Sequence, residues 1–254
     1  KKYEQKGNFE NGSVNLFNDE FLNYNDVHIG KKAVELLNRL GYKVIVPKLV
    51  ESGRTYLSKG MLDEAKKLAT ENINRLKTFA DSDQKLIGIE PSAILSFRDE
   101  YIDLSRGEQK ALAQKIAAKT FLIEEFLANE VDAGRIKSSQ FTDKTERLRM
   151  HGHCFQKALS SLVPLKKVLS LPANYTVLNI PSGCCGMAGS FGYEKEHYDL
   201  SMQVGELVLF PTIRKESEAT IISASGTSCR HQISDGTGRE AKHPVEILLE
   251  AMKG

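Results

Sequence analysis

Four cysteines carry the chemistry open to this sequence, and all lie between Cys154 and the last of its 254 residues. Cys154 stands in His-Gly-His-Cys, Cys184 and Cys185 in Ser-Gly-Cys-Cys-Gly, and Cys229 in Thr-Ser-Cys-Arg-His-Gln. Adjacent Cα atoms are about 3.8 Å apart, shorter than the roughly 4.4–6.8 Å an ordinary disulfide spans. A bond between Cys184 and Cys185 is therefore disfavoured, and two side-by-side thiolates suit a shared metal centre. Soft thiolates select zinc, copper(I) or iron–sulfur clusters over hard cations. Four of them suit either a four-cysteine cluster or a tetrahedral zinc site. His151, His153 and His231 each lie within three residues of a cysteine, so any of them can be a ligand or an outer hydrogen-bond donor. Three Cys plus one His would be a structural zinc set. The plain alternative is burial as inert small hydrophobes, against which stand loops rich in Gly, Ser and His.

The elements that must position these thiols are strands. Val14–Phe17, Lys43–Pro47 and Lys85–Ile89 read as buried strands in the first half, and Arg147–Met150, Thr176–Ile180 and Thr220–Ala224 in the second. Helical patterns lie between them. Ala33, Leu36, Leu37 and Leu40 recur at helical spacing, with Gly41 placed to end that helix. Leu62–Phe79 and Glu108–Asn129 read as longer helices, and Val245–Met252 as the last one, with His243 at its start as a cap. Alternation of strand and helix predicts an α/β fold of two pseudo-symmetric Rossmann-like units with parallel sheets flanked by helices, joined through Glu108–Asn129. Each cysteine follows a predicted strand, so the thiols meet where loops leave the carboxyl ends of the sheet. Gly183, Gly186 and Gly189 are expected to supply the positive φ that lets both neighbouring thiols face one centre.

The halves match in spacing. Glu20 to Gly53 is 33 positions and Cys154 to Gly186 is 32, while Gly53 to Ala93 is 40 and Gly186 to Cys229 is 43. In this register Glu20 faces Cys154, Glu51-Ser52-Gly53-Arg54 faces Cys184-Cys185-Gly186-Met187, and Ala93 faces Cys229. One reading is a duplication in which residues 1–129 lost their thiols and 130–254 kept a metal site. The other is that two α/β units of similar size share spacings by chance.

Composition is that of an ordinary globular protein, with 41% hydrophobic and 27% charged residues. A net charge of +2 gives no reason to invoke nucleic acid. No apolar run approaches the roughly 18 residues of a spanning helix, so the chain is expected not to be transmembrane. With no signal-peptide pattern, free thiols in a reducing cytoplasm are the expectation. The missing initial Met suggests a piece of something longer.

Other motifs are weaker. Ser52, Arg54, Ser58 and Lys59 form a cationic, hydroxyl-bearing loop that could bind a carboxylate or phosphate. The favoured reading is a remnant metal loop with Arg54 pairing Glu51 or Glu90. The glycines after Cys185 do not fit Gly-x-Gly-x-x-Gly. A Cys154 nucleophile with His151 or His153 lacks an evident orienting group. His28 and His197 are expected on the surface.

Five blocks carry a family resemblance: Ser-Gly-Arg-Thr-Tyr-Leu-Ser-Lys-Gly (52–60), Gly-Ile-Glu-Pro-Ser (88–92), His-Gly-His-Cys-Phe-Gln-Lys-Ala-Leu (151–159), Gly-Cys-Cys-Gly-Met-Ala-Gly-Ser-Phe-Gly (183–192) and Ser-Cys-Arg-His-Gln-Ile (228–233). Together they resemble the cysteine-rich CCG domain, which occurs in the iron–sulfur subunits of glycolate and D-lactate oxidases, in anaerobic glycerol-3-phosphate dehydrogenase and in heterodisulfide reductase. The chain looks most like the C-terminal part of large FAD-linked oxidases. The resemblance implies metal ligation by Cys154, Cys184, Cys185 and Cys229, holding one iron–sulfur or zinc centre. It implies a redox, electron-transfer module of an FAD-linked 2-hydroxy-acid oxidoreductase of the D-lactate or glycolate type. FAD is then expected only on a partner domain, and the partners are FAD-binding and ferredoxin-like regions or subunits of the same oxidase. The location would be the cytoplasm or the inner face of the membrane, with no turnover by this chain alone. The rival is a structural zinc scaffold that docks those regions without redox activity. The chain departs from the family pattern at Glu20, Ser52 and Ala93 in the first repeat, at Gln232 where a trailing Cys-x-x-Cys would end, and at Phe155 after Cys154. A second cluster, or a centre needing five thiols, is therefore not expected.

Overall fold

Short strands can pair in parallel only if each is followed by a crossover that returns the chain to the same edge, and this chain repeats that unit throughout. In the computed structural model, which describes residues 5–253, the chain divides into two units, Lys1–Glu130 and Val131–Gly254. The first unit runs β1 (Ser13–Leu16), α1 (Glu20–Tyr24), α2 (Val27–Arg39), β2 (Lys43–Ile45), α3 (Arg54–Ser58), α4 (Leu62–Arg75), α5 (Lys77–Ala80), β3 (Leu86–Gly88), α6 (Pro91–Ile94), α7 (Glu100–Leu104), α8 (Gly107–Ala117), β4 (Thr120–Leu122) and α9 (Ile123–Asp132). Its four strands are parallel in the order β2-β1-β3-β4. The inner strand β3 is buried along its length, as expected where helices cover both faces. Helix α2 buries Ile29, Ala33, Leu36 and Leu37, and Gly41, at φ +85°, turns the chain into β2 as its sequence position predicts.

The second unit runs β5 (Glu146–His151), α10 (Cys154–Leu159), α11 (Val163–Leu169), β6 (Tyr175–Asn179), α12 (Tyr198–Leu207), α13 (Leu209–Arg214), β7 (Ile221–Ala224), α14 (Thr227–Thr237), β8 (Ala241–Lys242) and α15 (Pro244–Ala251). Its parallel sheet has the order β6-β5-β7-β8, the same winding as the first. The chain is thus α/β, with two four-stranded parallel sheets flanked by helices. Helix α15 starts where expected, with the His243 side chain accepting from Val245 N and Glu246 bonding back to His243 N.

Two expectations about helices are corrected. Glu108–Asn129 is not one helix but α8 and α9 with β4 between them. The outer edge of β3 is buried and needs partners. Leu86 N donates to Lys119 O at 2.9 Å, and Ile87 pairs with Phe121. Thr120 Oγ1 bonds back to Ile116 O at the end of α8. The apolar positions Ile116, Ile123 and Leu127 are still buried, two helices sharing what one pattern suggested. Leu62–Phe79 likewise breaks at Leu76 into α4 and α5. The short strand β8, which completes the second sheet beside β7, has no signal in its two residues.

In the second unit, Ile180, Met187, Leu209, Phe210, Ile222, Ile233 and the two buried cysteines form one apolar cluster. The Phe210 ring lies against two mid-helix glycines, so that a Cβ on Gly205 of α12 or Gly236 of α14 would stand 2.2 Å from its Cζ. Alanine in a helix interior ordinarily stabilises by up to about 1 kcal/mol. Here overpacking outweighs it, so Gly205→Ala and Gly236→Ala should each lose about 1–3 kcal/mol in urea unfolding. A gain in midpoint would show that the ring moves aside freely.

Candidate metal centre

The thiols converge because three strands of one parallel sheet end at the same edge. Strand β5 ends at His151, and the chain then enters α10, whose first residue is Cys154 and whose N-cap is His153. Strand β6 leads into the loop holding Cys184 and Cys185, and β7 into α14, whose third residue is Cys229. All four cysteines are free thiols. Cys185 and Cys229 are buried, Cys184 is intermediate and Cys154 is exposed. One ring nitrogen of His151 and the sulfurs of Cys185 and Cys229 all lie within 4.8 Å of one another. The thiols act on one another in series, Cys154 on Cys184, Cys184 on Cys185 and Cys185 on Cys229.

That series sets the charges. Donation from Cys154 and Cys185 holds the Cys184 thiol well below its usual range. Cys229 is lowered too, by the hydrogen bond from Cys185 against the opposing cost of burial, with His153 and His151 adding to the effect. Cys154 and Cys185 are pushed up, chiefly because they donate to their neighbours and then because they are desolvated. Thiols gathered in this way are, once deprotonated, donors for a soft metal ion or an iron–sulfur cluster rather than for a hard cation.

The loop that carries the vicinal pair is held from three directions. Gly186, at φ +103°, gives its N–H to Cys184 Sγ at 3.3 Å, and Ser201 Oγ donates to Gly186 O at 3.0 Å. Gln232 of α14 braces Ser201 by bonds of 3.1 and 2.9 Å to its carbonyl and hydroxyl oxygens. Lys157 of α10 reaches Ser182 O at 2.8 Å and also Gly183 O. Arg230 of α14 fastens the preceding turn through Ala224 O and Ser225 O. The roles of Gln232 and Lys157 have no sequence signal beyond their nearness to a cysteine, and that of Ser201 has none. Gly186 and Gly189 take positive φ as expected, but Gly183 does not. The third such residue is Ala188, at φ +43°, the one non-glycine with positive φ among the described residues.

The histidines separate. His151 is buried at the end of β5, with Nδ1 2.8 Å from Ser182 Oγ. His153 is buried and caps α10, its Nδ1 accepting from Phe155 N at 3.2 Å. His231 is exposed, and its Nδ1 meets the Tyr193 hydroxyl at 2.7 Å. It stands outside the His/Cys group. Of the two histidines expected on the surface, His28 is exposed, while His197 is partly covered and bonded to Glu194.

The corresponding place in the first unit is filled by oxygen. Glu20 is the first residue of α1, as Cys154 is of α10. Its carboxylate accepts from Ser52 N at 2.8 Å and Ser52 Oγ at 2.6 Å. Ser52 precedes Gly53 at φ +77°, as Cys185 precedes Gly186, and Ala93 is the third residue of α6, as Cys229 is of α14. Tyr101 OH donates to Ser52 O, and Asn72 bonds the Tyr101 hydroxyl and Glu51 O. Arg54 pairs with Glu100, because α7 brings its first turn to that loop. Asp19 caps α1 through Leu22 N at 2.9 Å, while its second oxygen is buried without a hydrogen bond. Burial, reinforced by Glu90 and Glu20, raises the Asp19 carboxyl well above the carboxylate range.

Comparison with known proteins finds relatives named as dehydrogenases and as a lactate utilization protein. The chain is 26% identical over 242 residues to D-2-hydroxyglutarate dehydrogenase of Escherichia coli K12, covering 95% of this chain and 23% of that protein. It is 28% identical over 243 residues to one of the subunits of anaerobic glycerol-3-phosphate dehydrogenase of the same organism, covering 94% of this chain and 59% of the relative. It is 26% identical over 248 residues to lactate utilization protein A of Bacillus subtilis 168, covering 92% and 98%. No family model matches. The chain spans less than a quarter of the D-2-hydroxyglutarate dehydrogenases it matches, 22–24% of their length. No helix among the described residues is long and apolar enough to cross a membrane.

Two outcomes follow from the geometry. A Cβ on Gly186 would stand 2.1 Å from Ser201 O, and its φ is strained for any L side chain. Gly186→Ala should therefore destabilise by about 1–3 kcal/mol and displace Cys185. Unchanged urea unfolding and unchanged thiol accessibility would contradict this. For Asp19, a folded pKa above the unfolded value of about 3.9 means that stability falls as pH rises from there through the folded value. Asp19→Asn keeps the Leu22 cap and removes the buried charge. It should raise stability at pH 8 by on the order of 1–3 kcal/mol, with the gain shrinking as the pH is lowered toward 4. A gain independent of pH would reject burial of the carboxylate as the cause.

Proposed function

We infer that the second unit holds one soft-metal or iron–sulfur centre built from the Cys154, Cys184, Cys185 and Cys229 cluster. In this reading it serves as the redox module of a larger oxidoreductase acting on a 2-hydroxy acid or a related alcohol. The observation that carries it is the convergence of four free thiols at one sheet edge. Comparison adds support, since the relatives are named for oxidation of 2-hydroxyglutarate, glycerol 3-phosphate and use of lactate. A bound centre would supply one-electron chemistry. The chain's own residues do the rest. Lys157, Ser201 and Gln232 hold the loop. Met187, Ile180 and Phe210 shield the inner sulfurs from water. The substrate-oxidising flavin belongs to another region or subunit of the same enzyme, together with a ferredoxin-like region. The first unit is a repeat of the second whose loops are tied by Glu20 and Ser52 in place of thiols.

A second reading has its own support. Cys185 and Cys229 sit in the apolar core, and closed tetrahedral sites are commonly structural zinc. The unit would then be a scaffold for docking the flavin and ferredoxin-like regions. Anaerobic purification with an absorption spectrum and elemental analysis separates the two. Iron, sulfide and a broad band near about 400 nm are expected for the redox module. A colourless protein with one zinc per chain would establish the scaffold instead. Cys185→Ala should lose the metal in either case, and full retention would show the centre to be elsewhere.

A further inference from the structure

The sequence leaves three histidines equivalent as ligands or outer donors, and the hydrogen-bond network distinguishes them. His153 Nδ1 accepts from Phe155 N as the N-cap of α10. A ring nitrogen that accepts has no proton, so the neutral His153 ring carries its proton on Nε2. The ring edge that carries that nitrogen lies near the sulfur of α14, since a methyl on Gly226 would meet His153 Cδ2 at 2.4 Å, its Nε2 at 3.1 Å and Cys229 Sγ at 3.3 Å. To ligate through Nε2, His153 would have to move its proton to Nδ1 and forfeit the cap. Its role is that of an N–H donor toward the Cys229 sulfur.

His151 is wired the other way. Its Nδ1 bonds the Ser182 hydroxyl at 2.8 Å, the kind of outer hydrogen bond that fixes a metal-binding imidazole with its other nitrogen facing inward. The ring is buried and is one of three groups whose ligand atoms lie within 4.8 Å of one another. With M–S of about 2.3 Å and M–N of about 2.0 Å, tetrahedral ligand atoms lie roughly 3.5–3.8 Å apart, a short closure from there. Cys154 and Cys184 both stand outside that group, but Cys184 adjoins Cys185 in the chain and is only partly exposed, whereas Cys154 is the exposed thiol.

We propose that His151 ligates the centre through Nε2 beside Cys184, Cys185 and Cys229, leaving Cys154 as a solvent-facing thiol outside the metal. This rests on the presence of a centre in the cysteine cluster and exchanges Cys154 for His151 among its ligands, giving one nitrogen and three sulfurs. His153 is a positioning residue that steadies the Cys229 thiolate.

The test uses the full chain reconstituted anaerobically with zinc(II) alone. X-ray absorption at the zinc edge should give one nitrogen at about 2.0 Å with three sulfurs at about 2.3 Å. Cys154→Ser should keep that shell, and iodoacetamide should alkylate Cys154 alone without releasing zinc. His151→Ala should lose the nitrogen scatterer. His153→Asn, which keeps the cap and removes the inward N–H, should keep the scatterer but bind zinc about 10–100-fold more weakly. Four sulfurs with no nitrogen, or zinc loss in Cys154→Ser, would overturn the assignment while leaving the centre itself standing. A wild-type chain that binds neither zinc nor iron would overturn the centre and the assignment together. If His151→Ala fails to fold, the wild-type spectrum and Cys154→Ser still decide.

Discussion

Burying sulfur next to sulfur is the constraint around which the second unit is arranged. A charged thiolate away from water is costly unless hydrogen bonds or a cation compensate it. Yet Cys185 and Cys229 are packed with Met187, Phe210 and Ile233 in an apolar cluster. The thiols meet this together, Cys184 and Cys229 being lowered as Cys154 and Cys185 are pushed up. His151 and His153 both favour the charged form of Cys229. The surrounding structure exists to hold this spacing. Gln232 braces Ser201, Ser201 holds Gly186, and Gly186 sets the turn that lets both vicinal thiols face inward.

The first unit solves the same geometric problem with oxygen. Its strands have the same order, and its loops leave the sheet at equivalent positions. The Glu20 carboxylate spans from the start of α1 to both the N–H and the hydroxyl of Ser52. Two charge-assisted hydrogen bonds do there what a shared metal could do between Cys154 and Cys185. The solution carries a cost, because Asp19, beside Glu20 in the chain, is buried with one oxygen unsatisfied.

Much of the fold was legible in the sequence because it rests on local pattern. Six of the strands follow from apolar runs between turn residues, and Gly41 and His243 end and start their helices as their positions require. What escaped depends on partners. Thr120–Leu122 continues a helical pattern, and only the buried edge of β3 turns it into a strand. Lys157 carries no reading of its own, and Gln232 reads as a replaced cysteine. Nothing local marks a lysine that bonds loop carbonyls or a glutamine that braces a serine 31 residues away. Arg54 found Glu100 because α7 folds across the loop, an approach with no trace in spacing.

The sequence by itself determined that four thiols follow three strands of an α/β unit, and that oxygen stands at the matching positions of the other. Residue types and short-range periodicity carry that information. Only the tertiary structure decided the order among them, with Cys154 outermost, Cys229 deepest, His151 turned inward, His153 engaged as a cap and His231 facing solvent. Those roles are set by which nitrogen or sulfur meets which neighbour across the sheet edge. Direction of that kind arises only when strands distant in sequence lie side by side.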